Sequence, residues 1–360
     1  MPSTYTMPGE RYFEVEDLSE HFEPPILIVS TVVGRGMYTI GEAIRQRLGG
    51  KHTVHHVPIE EFVSPEVVNE DLERYKFISN NFPVLLHLVY RVPLFYYRKY
   101  LREKLFNVAQ LGRLGEKIEA LGARTIISVS HRPAFWISNL KRREGFDLSV
   151  WGVLGEYGKN LGWKYLFWDQ MNGFLSPVSR NALGFTPPDH VRFININLPA
   201  RQEYHDLSSV EGDIDSVLLV CGFWGQGPIA GTVKKLSGAF PELKIHAVCG
   251  ENKKAYENMQ RLFDGNDRIQ VYGVTPSLVP SLRECASVIT KPGISTLLES
   301  HAAGRKIFLL KGMPVAEDNN ARFAIENFGA EQFEVETFAR WHAGARVETH
   351  PRDERLLRYE

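Results

Sequence analysis

The 360-residue sequence contains only three cysteines and carries almost no net charge. Cys221, Cys249 and Cys285 have no CxxC spacing, which argues against a disulfide framework and a cysteine zinc site and fits a reducing compartment. Lysine plus arginine (42) balances aspartate plus glutamate (43), giving a net charge of −1. The chain therefore lacks the overall positive charge that would favour a nucleic-acid partner.

Long hydrophobic runs are also missing. The nearest candidate, residues 82–97, is interrupted by Pro83, His87, Arg91 and Pro93, and it falls short of the roughly 18 to 20 residues that span a bilayer. Residues 1–22 lack the apolar centre of a signal peptide. We therefore expect a cytoplasmic protein, with peripheral contact at the inner membrane face left open.

The sequence does have short apolar runs that alternate with helical patterns. Predicted strands lie at 26–29, 53–57, 125–129, 148–154, 171–175, 191–196, 216–221, 244–248, 269–272, 286–290 and 306–310. Strands that alternate with helices indicate parallel sheets. Because the pattern restarts after a polar stretch, we predict an α/β chain of two doubly wound, Rossmann-like domains facing a cleft.

The polar stretch sets the expected domain boundaries. We predict an N-terminal extension over residues 1–22, a first domain over 23–202, a linker over 203–215, a second domain over 216–340 and a C-terminal tail over 341–360. Ligands of such sheets bind beyond the carboxyl ends of the strands. The motifs that follow strands are therefore the candidates for function.

A glycine-rich turn follows the first predicted strand of the second domain. Gly222, Gly225 and Gly227 lie between that strand and a helix. Glycine lets the backbone approach a ligand closely, and a helix N-terminus offers free N–H groups to a phosphate. The turn lacks the Lys-Ser/Thr pair of a P-loop, which argues against an ATPase. A diphosphate site and a plain strand-to-helix turn both remain open.

A longer motif, Thr290-Lys-Pro-Gly-Ile-Ser-Thr-Leu-Leu-Glu299, also follows a predicted strand and opens a helix. Gly293 belongs to the turn, and Ser295 and Thr296 are expected to cap the helix and hold a diphosphate. Glu299 lies one helical turn further on the same face, where a carboxylate can accept two hydrogen bonds from a ribose diol. The alternative is an N-cap followed by a carboxylate that interacts with the helix dipole.

A third cluster, Glu317, Asp318 and Asn320, opens another predicted helix. Carboxylates and amides can each bond two neighbouring sugar hydroxyls, so we expect these residues to contact a donor sugar. A polar cap cluster is the alternative.

These motifs, together with Gly250 and Asn252 in Val-Cys-Gly-Glu-Asn, occur in the order seen in glycosyltransferase family 28. The chain resembles the monogalactosyldiacylglycerol and diglucosyldiacylglycerol synthase branch over most of its length, and more distantly the peptidoglycan lipid II synthase. The resemblance implies a GT-B fold whose second domain holds the nucleotide and whose first domain binds the acceptor. It also implies an inverting transfer with no essential metal and no cofactor, the UDP-sugar donor being a co-substrate.

The first half also looks like that branch, with one departure. Gly34 and Gly36 resemble the first loop of the family, but Met37 stands where the family carries a histidine as the expected base. Methionine cannot take a proton. Candidate replacements are His131 and Glu156, which each follow a predicted strand, although both also fit solvated loop residues. His131 ranks slightly higher because an ordinary histidine pKa of about 6.5 suits proton transfer near neutral pH.

An aromatic and basic segment precedes these candidates. Residues 76–106 hold six lysines or arginines and one glutamate. We expect Arg98, Lys99 and Arg102 on the acceptor side, where they would meet an anionic membrane surface or an anionic acceptor. A core-packed helical pair whose cations reach out to solvent is the alternative.

The leading hypothesis is a UDP-sugar-dependent inverting glycosyltransferase that moves a hexose or N-acetylhexosamine to a lipid or small-molecule hydroxyl. One alternative is a transferase of natural-product biosynthesis, such as a nucleoside-type antibiotic, with a soluble acceptor. Others are a UDP-sugar epimerase and a non-catalytic homologue. The expected partners are the UDP-sugar, the acceptor and an anionic membrane surface, and no nucleic acid.

Overall fold

The computed structural model describes residues 10–33, 35–64, 108–312 and 316–349, together with positions 66, 69, 73 and 77. The chain divides into two compact units. The first runs to Gln202 and also includes the segment that ends at Phe323, and the second comprises Glu203–Gly312 and the chain from Ala324 onward.

The first unit contains a six-stranded sheet with the order β2-β1-β3-β4-β5-β6. Its strands are β1 (Ile26–Ser30), β2 (Val54–Pro58), β3 (Thr125–Ser128), β4 (Ser149–Val153), β5 (Gly173–Ser176) and β6 (Arg192–Asn195). Its longer helices are α1 (Gly36–Gly49), α2 (Val108–Ala120) and α3 (His131–Glu144). Short 3-10 helices occur at Val15–His21, Ile59–Phe62, Leu161–Tyr165, Trp168–Gln170 and Arg180–Ala182.

The second unit repeats this plan with the sheet order β12-β11-β10-β7-β8-β9. Its strands are β7 (Asp213–Val220), β8 (Lys244–Val248), β9 (Ile269–Tyr272), β10 (Cys285–Thr290), β11 (Lys306–Leu309) and β12 (Glu331–Gln332). Its helices are α4 (Gln202–His205), α5 (Ile229–Ala239), α6 (Lys253–Leu262), α7 (Val279–Glu284), α8 (Ile294–Ala302), α9 (Ala316–Asn327) and α10 (Val335–Thr349). The first residues of α4 and α9 group with the first unit.

Burial explains why the strands read as continuous apolar runs. All five residues of β1 and all four of β3 are buried, and β7 is buried over its last five residues. A parallel sheet covered by helices on both faces hides every position of its central strands. The strand pairs are parallel in both sheets, which confirms the predicted α/β class with two doubly wound sheets. Within the described residues, no helix is long and apolar enough to cross a membrane.

The predicted N-terminal extension is instead packed into the first unit from residue 10, the first described residue. Val15, Leu18 and Phe22 are buried, and Phe13 pairs with Ile196 beside β6. The segment is polar in composition, but these three apolar side chains of its described part face inward. Composition alone therefore concealed a packed element.

The predicted linker and tail are also built into the second unit. Tyr204 and Leu207 pack in its core at 0% and 1% exposure, and β7 already begins at Asp213. Helix α10 crosses the predicted boundary at residue 340, with Phe338 fully buried and His342 nearly so. These segments are therefore structural elements of the unit rather than connectors.

Candidate functional site

Two glycine loops of the second unit, after β7 and after β8, lie directly against each other. Gly225 and Gly250 both have positive φ angles, 60° and 55°. A Cβ on Gly225 would overlap the carbonyl oxygen of Cys249, and a Cβ on Gly250 would overlap that of Phe223. Only glycine fits at these two positions, so the sequence spacing reflects close backbone approach at the carboxyl edge of the sheet.

Asn252 joins the two loops. Its Nδ2 donates to the carbonyl oxygen of Gly225 at 3.1 Å, and its Oδ1 accepts from the backbone N–H of Ala255 at 3.0 Å as the N-cap of α6. The residue thus holds the loop that was predicted to bind a diphosphate. Gly222 has a φ of 71° and lies beneath the Lys291 side chain, and Gly227 packs on the Cys221 sulfur.

The motif after β10 starts helix α8, but not with the predicted caps. Gly293 is the N-cap, so Ser295 and Thr296 are the second and third residues of the first turn. The N–H groups of a first turn have no acceptor within the helix. Gly293 exposes them because it has no side chain with which to cover them. The expected capping role of the two hydroxyls is wrong, whereas the diphosphate contact stays a prediction.

Glu299 lies on the same helical face as these two hydroxyls. It is buried, with 3% of its surface exposed. Thr296, three residues earlier, is also buried. The ribose contact of the Glu299 carboxylate stays a prediction.

In the first unit, the loop after β1 is held by a network that the sequence analysis did not identify. Ser30 Oγ lies 2.8 Å from His56 Nε2, and His56 Nδ1 lies 3.3 Å from Glu42 Oε2. Glu60 accepts from the Thr31 hydroxyl and from the backbone N–H of Val32. This network fixes the backbone that leads into α1. Its members are far apart in sequence, and the packing of α1 and the pairing of β1 with β2 bring them together.

Met37 occupies the second position of α1 and points at the loop after β4. A Cβ on Gly155 would overlap the Met37 sulfur. The Met37 side chain therefore lies against Gly155, the residue that precedes Glu156 in the loop after β4. One of the two candidate bases, Glu156, is thus part of the loop that Met37 contacts.

Burial raises the pKa of Glu156 to about 7, and the negative charge of Glu317 adds to the effect. Glu317 is itself 8% exposed. The backbone N–H of Tyr157 donates to Asn320 Oδ1 at 3.0 Å, and the rings of Tyr157 and Phe323 stack with centres 3.5 Å apart. Two predicted sugar residues, Glu317 and Asn320, therefore lie beside the candidate base, while Asp318 is exposed on the same helix turn.

His131 is less suited to proton transfer than expected. It is the first residue of α3 rather than a loop residue, and it packs on Gly162 and on the edge of Trp163. Burial, with a contribution from Arg132, lowers its pKa to about 3. The ordinary pKa on which its higher rank depended is therefore wrong, and the identity of the base stays a prediction.

This low pKa predicts a pH effect on stability. Below pH 6.5 the unfolded chain binds a proton on His131, whereas the folded chain stays neutral there down to about pH 3. The free energy of unfolding therefore falls as the pH drops. We expect His131→Gln to remove about 2 kcal/mol of the decrease between pH 7 and pH 5, measured by urea unfolding. The exposed His190→Gln should leave the decrease intact, and an unchanged decrease in His131→Gln would contradict the assignment.

The remaining acceptor-side candidates divide into two groups. Gly36 lies within the described residues and is the first residue of α1. Arg35, which precedes it, has a φ of 61°. Gly34, Arg98, Lys99 and Arg102 lie outside the described residues, so their expected roles stay predictions.

Comparison with known proteins places these observations in a wider group. No family model matches the chain. A processive diacylglycerol beta-glucosyltransferase of Bacillus cereus (strain AH187) is 25% identical over 328 residues, which cover 83% of this chain and 79% of the relative.

Solved structures of low sequence identity share the fold. MurG of Acinetobacter baumannii has a TM-score of 0.52 at 12% identity, covering 89% of this chain and 90% of its own. UDP-GlcNAc 2-epimerase of Neisseria meningitidis, bound to UDP-GlcNAc, has a TM-score of 0.53 at 10% identity, covering 91% and 92%. The chain has the GT-B fold, and its resemblance to glycosyltransferase family 28, through the diacylglycerol glucosyltransferases, is confirmed as a distant one.

Proposed function

We propose that the chain is a UDP-sugar-dependent inverting glycosyltransferase that transfers a hexose or N-acetylhexosamine to a hydroxyl of a lipid or small molecule. The observation that carries this proposal is the position of Glu156. Its carboxyl group has a pKa of about 7, raised by burial and by the charge of Glu317. The two chain neighbours of Glu156, Gly155 and Tyr157, contact Met37 and Asn320.

In the proposed reaction, the acceptor oxygen attacks the anomeric carbon from the face opposite the diphosphate. The bond from that carbon to the diphosphate oxygen breaks, and its electron pair leaves with UDP. Glu156 takes the proton of the acceptor hydroxyl, since its pKa leaves a substantial ionised fraction near neutral pH. The first-turn N–H groups of α8 and the glycine loops stabilise the charge that develops on the diphosphate.

The named relatives favour transfer over epimerisation. The GT-B fold alone does not decide between them, because both a MurG and a UDP-GlcNAc 2-epimerase share it. At the sequence level, however, the similarity is to transferases that act on diacylglycerol. We therefore propose a lipid hydroxyl as the first acceptor class to test, with peripheral membrane contact through residues 76–106.

Radiolabelled UDP-glucose, UDP-galactose and UDP-N-acetylglucosamine would each be incubated with the chain, with and without diacylglycerol vesicles. We expect acceptor-dependent release of UDP and label in the lipid phase. Conversion of UDP-N-acetylglucosamine without an acceptor would support an epimerase instead. Binding of UDP without turnover of any acceptor would support a non-catalytic protein. Such a result would fit Met37, which cannot take a proton from an acceptor.

A further inference from the structure

A cavity of about 480 Å³ lies along the β6 edge of the first unit. Met37 and Glu156 follow β1 and β4, and β6 lies two strands beyond β4 at the far edge of the sheet. The cavity is therefore a separate feature from the candidate site. Its lining comes from the N-terminal segment and from β6 with the loop that precedes it.

The wall that the N-terminal segment contributes is firmly attached. The backbone N–H of Phe13 donates to the carbonyl oxygen of Asn195 at 3.0 Å, and that of Asn197 donates to the oxygen of Phe13 at the same distance. Val15 and Leu18 then bury their side chains. The segment thus extends the sheet beyond β6 and gives the cavity a defined shape.

Three guanidinium groups line this cavity, from Arg11, Arg180 and Arg192. Arg192 Nη1 donates to His21 Nδ1 at 3.3 Å, which requires that this nitrogen carry no proton. Burial and the Arg192 charge both lower the pKa of His21, consistent with a neutral ring. Within the part of the chain that the structure describes, no carboxylate lies within 4.0 Å of Arg11 or Arg192, whereas Arg180 is 3.4 Å from the exposed Asp189.

One carboxylate, Glu10, also lines the cavity, but its charge is already engaged. Glu10 Oε2 accepts from the Tyr12 hydroxyl at 3.3 Å and from Asn195 Nδ2 at 3.1 Å. Among the described lining residues, three arginines outnumber this one glutamate, so the lining is cationic. Guanidinium groups bind phosphate oxygens in pairs and are less strongly hydrated than ammonium groups, so this lining selects a phosphate over a simple halide.

Apart from His21 and Asn195, the other described lining residues are apolar. The Arg11 guanidinium carbon lies 4.5 Å from the centre of the Phe13 ring, and that of Arg180 lies 5.9 Å from the centre of the Phe193 ring. Leu18 and Ile194 complete this surface. The volume falls within the range of about 300 to 1,000 Å³ that is common for small-molecule sites. A ligand that fits therefore combines a phosphate with a short apolar part.

We infer that this cavity is a second binding site, for a phosphate ester that carries a small apolar group, separate from the nucleotide and acceptor positions. Such a phosphate has two sources, a soluble organophosphate or the headgroup of an anionic phospholipid. The inference does not depend on the proposed transferase activity, because it requires only the described lining.

The test compares wild type with Arg180→Gln/Arg192→Gln. Soluble binding is measured by calorimetry with glycerol 3-phosphate, and membrane binding by co-sedimentation with vesicles of phosphatidylcholine, with and without phosphatidylglycerol. We expect at least about tenfold weaker binding in the double variant, since two charge-assisted contacts are lost. The matched control, Arg113→Gln/Arg143→Gln, removes the same charge from exposed positions on α2 and α3.

Arg11→Gln provides a second variant in case the first disturbs folding, because among the described residues its guanidinium makes a contact only with the Phe13 ring. Loss of glycerol 3-phosphate binding in the cavity variants but not in the control supports a soluble ligand. Loss confined to phosphatidylglycerol vesicles supports a lipid headgroup. Equal binding by wild type, Arg11→Gln and the folded double variant to both probes would overturn the inference.

Discussion

Glu156→Gln is expected to lower the turnover of sugar transfer by about 100- to 10,000-fold, the range for loss of a general base. Glutamine has the size of glutamate but cannot take the acceptor proton. Affinity for UDP should remain unchanged, because the nucleotide is assigned to the second unit. Initial rates at saturating UDP-sugar and acceptor would measure the loss, and the exposed Glu144→Gln is the matched control. If Glu156→Gln keeps more than about a tenth of wild-type turnover, it is not the base.

The pH dependence of the wild type separates a base from a residue that only shapes the site. Because Glu156 must be ionised, the rate should fall on the acid side with an apparent pKa of about 7. Removing the neighbouring charge with Glu317→Gln should move this acid limb to lower pH, since that charge helps to raise the pKa of Glu156. An acid limb that stays in place would argue that Glu317 does not act on Glu156.

Glu299→Ala should weaken the binding of UDP by about 1.5 to 3 kcal/mol, the range for hydrogen bonds to a charged group. This corresponds to roughly 10- to 150-fold in Kd. The proposed contact is to both ribose hydroxyls, so 2′-deoxy-UDP should lose less in the variant than UDP does. Titration calorimetry with the two nucleotides measures both effects.

Two controls accompany this measurement. Glu257→Ala removes an exposed glutamate from α6 of the same unit and should bind UDP as wild type does. Since Glu299 is buried, thermal unfolding of Glu299→Ala must show that the unit remains folded. Unchanged UDP affinity in a folded Glu299→Ala would remove the ribose contact from the proposal.

The sequence predicts the strands well because both sheets are parallel and buried. Each of the eleven predicted strands is present, and only the two-residue strand β12 at the sheet edge was missed. Two residues carry too little periodicity to be recognised. Helix α3 was missed for another reason, because Pro133 falls in its first turn and looks like part of a loop.

The site was predictable only in part. The glycine positions could be found because close backbone approach requires a particular residue type, as at Gly225 and Gly250. The ordinary pKa assumed for His131 was wrong, because a pKa depends on burial and neighbouring charges that one-dimensional spacing does not contain. The Ser30–His56–Glu42 network escaped notice because its members come from β1, β2 and α1.

A short segment that ends at Phe323 groups with the first unit, although it follows most of the second unit in sequence. This grouping affects how this chain can be recombined with its relatives. A chimera that exchanges halves at residue 202 takes Asn320 and Phe323 from one parent and Tyr157 from the other. The hydrogen bond and the ring stack at Tyr157 then form only if the two parents carry compatible residues. A chimera that keeps these contacts should therefore take residues 316–323 and the loop after β4 from the same parent.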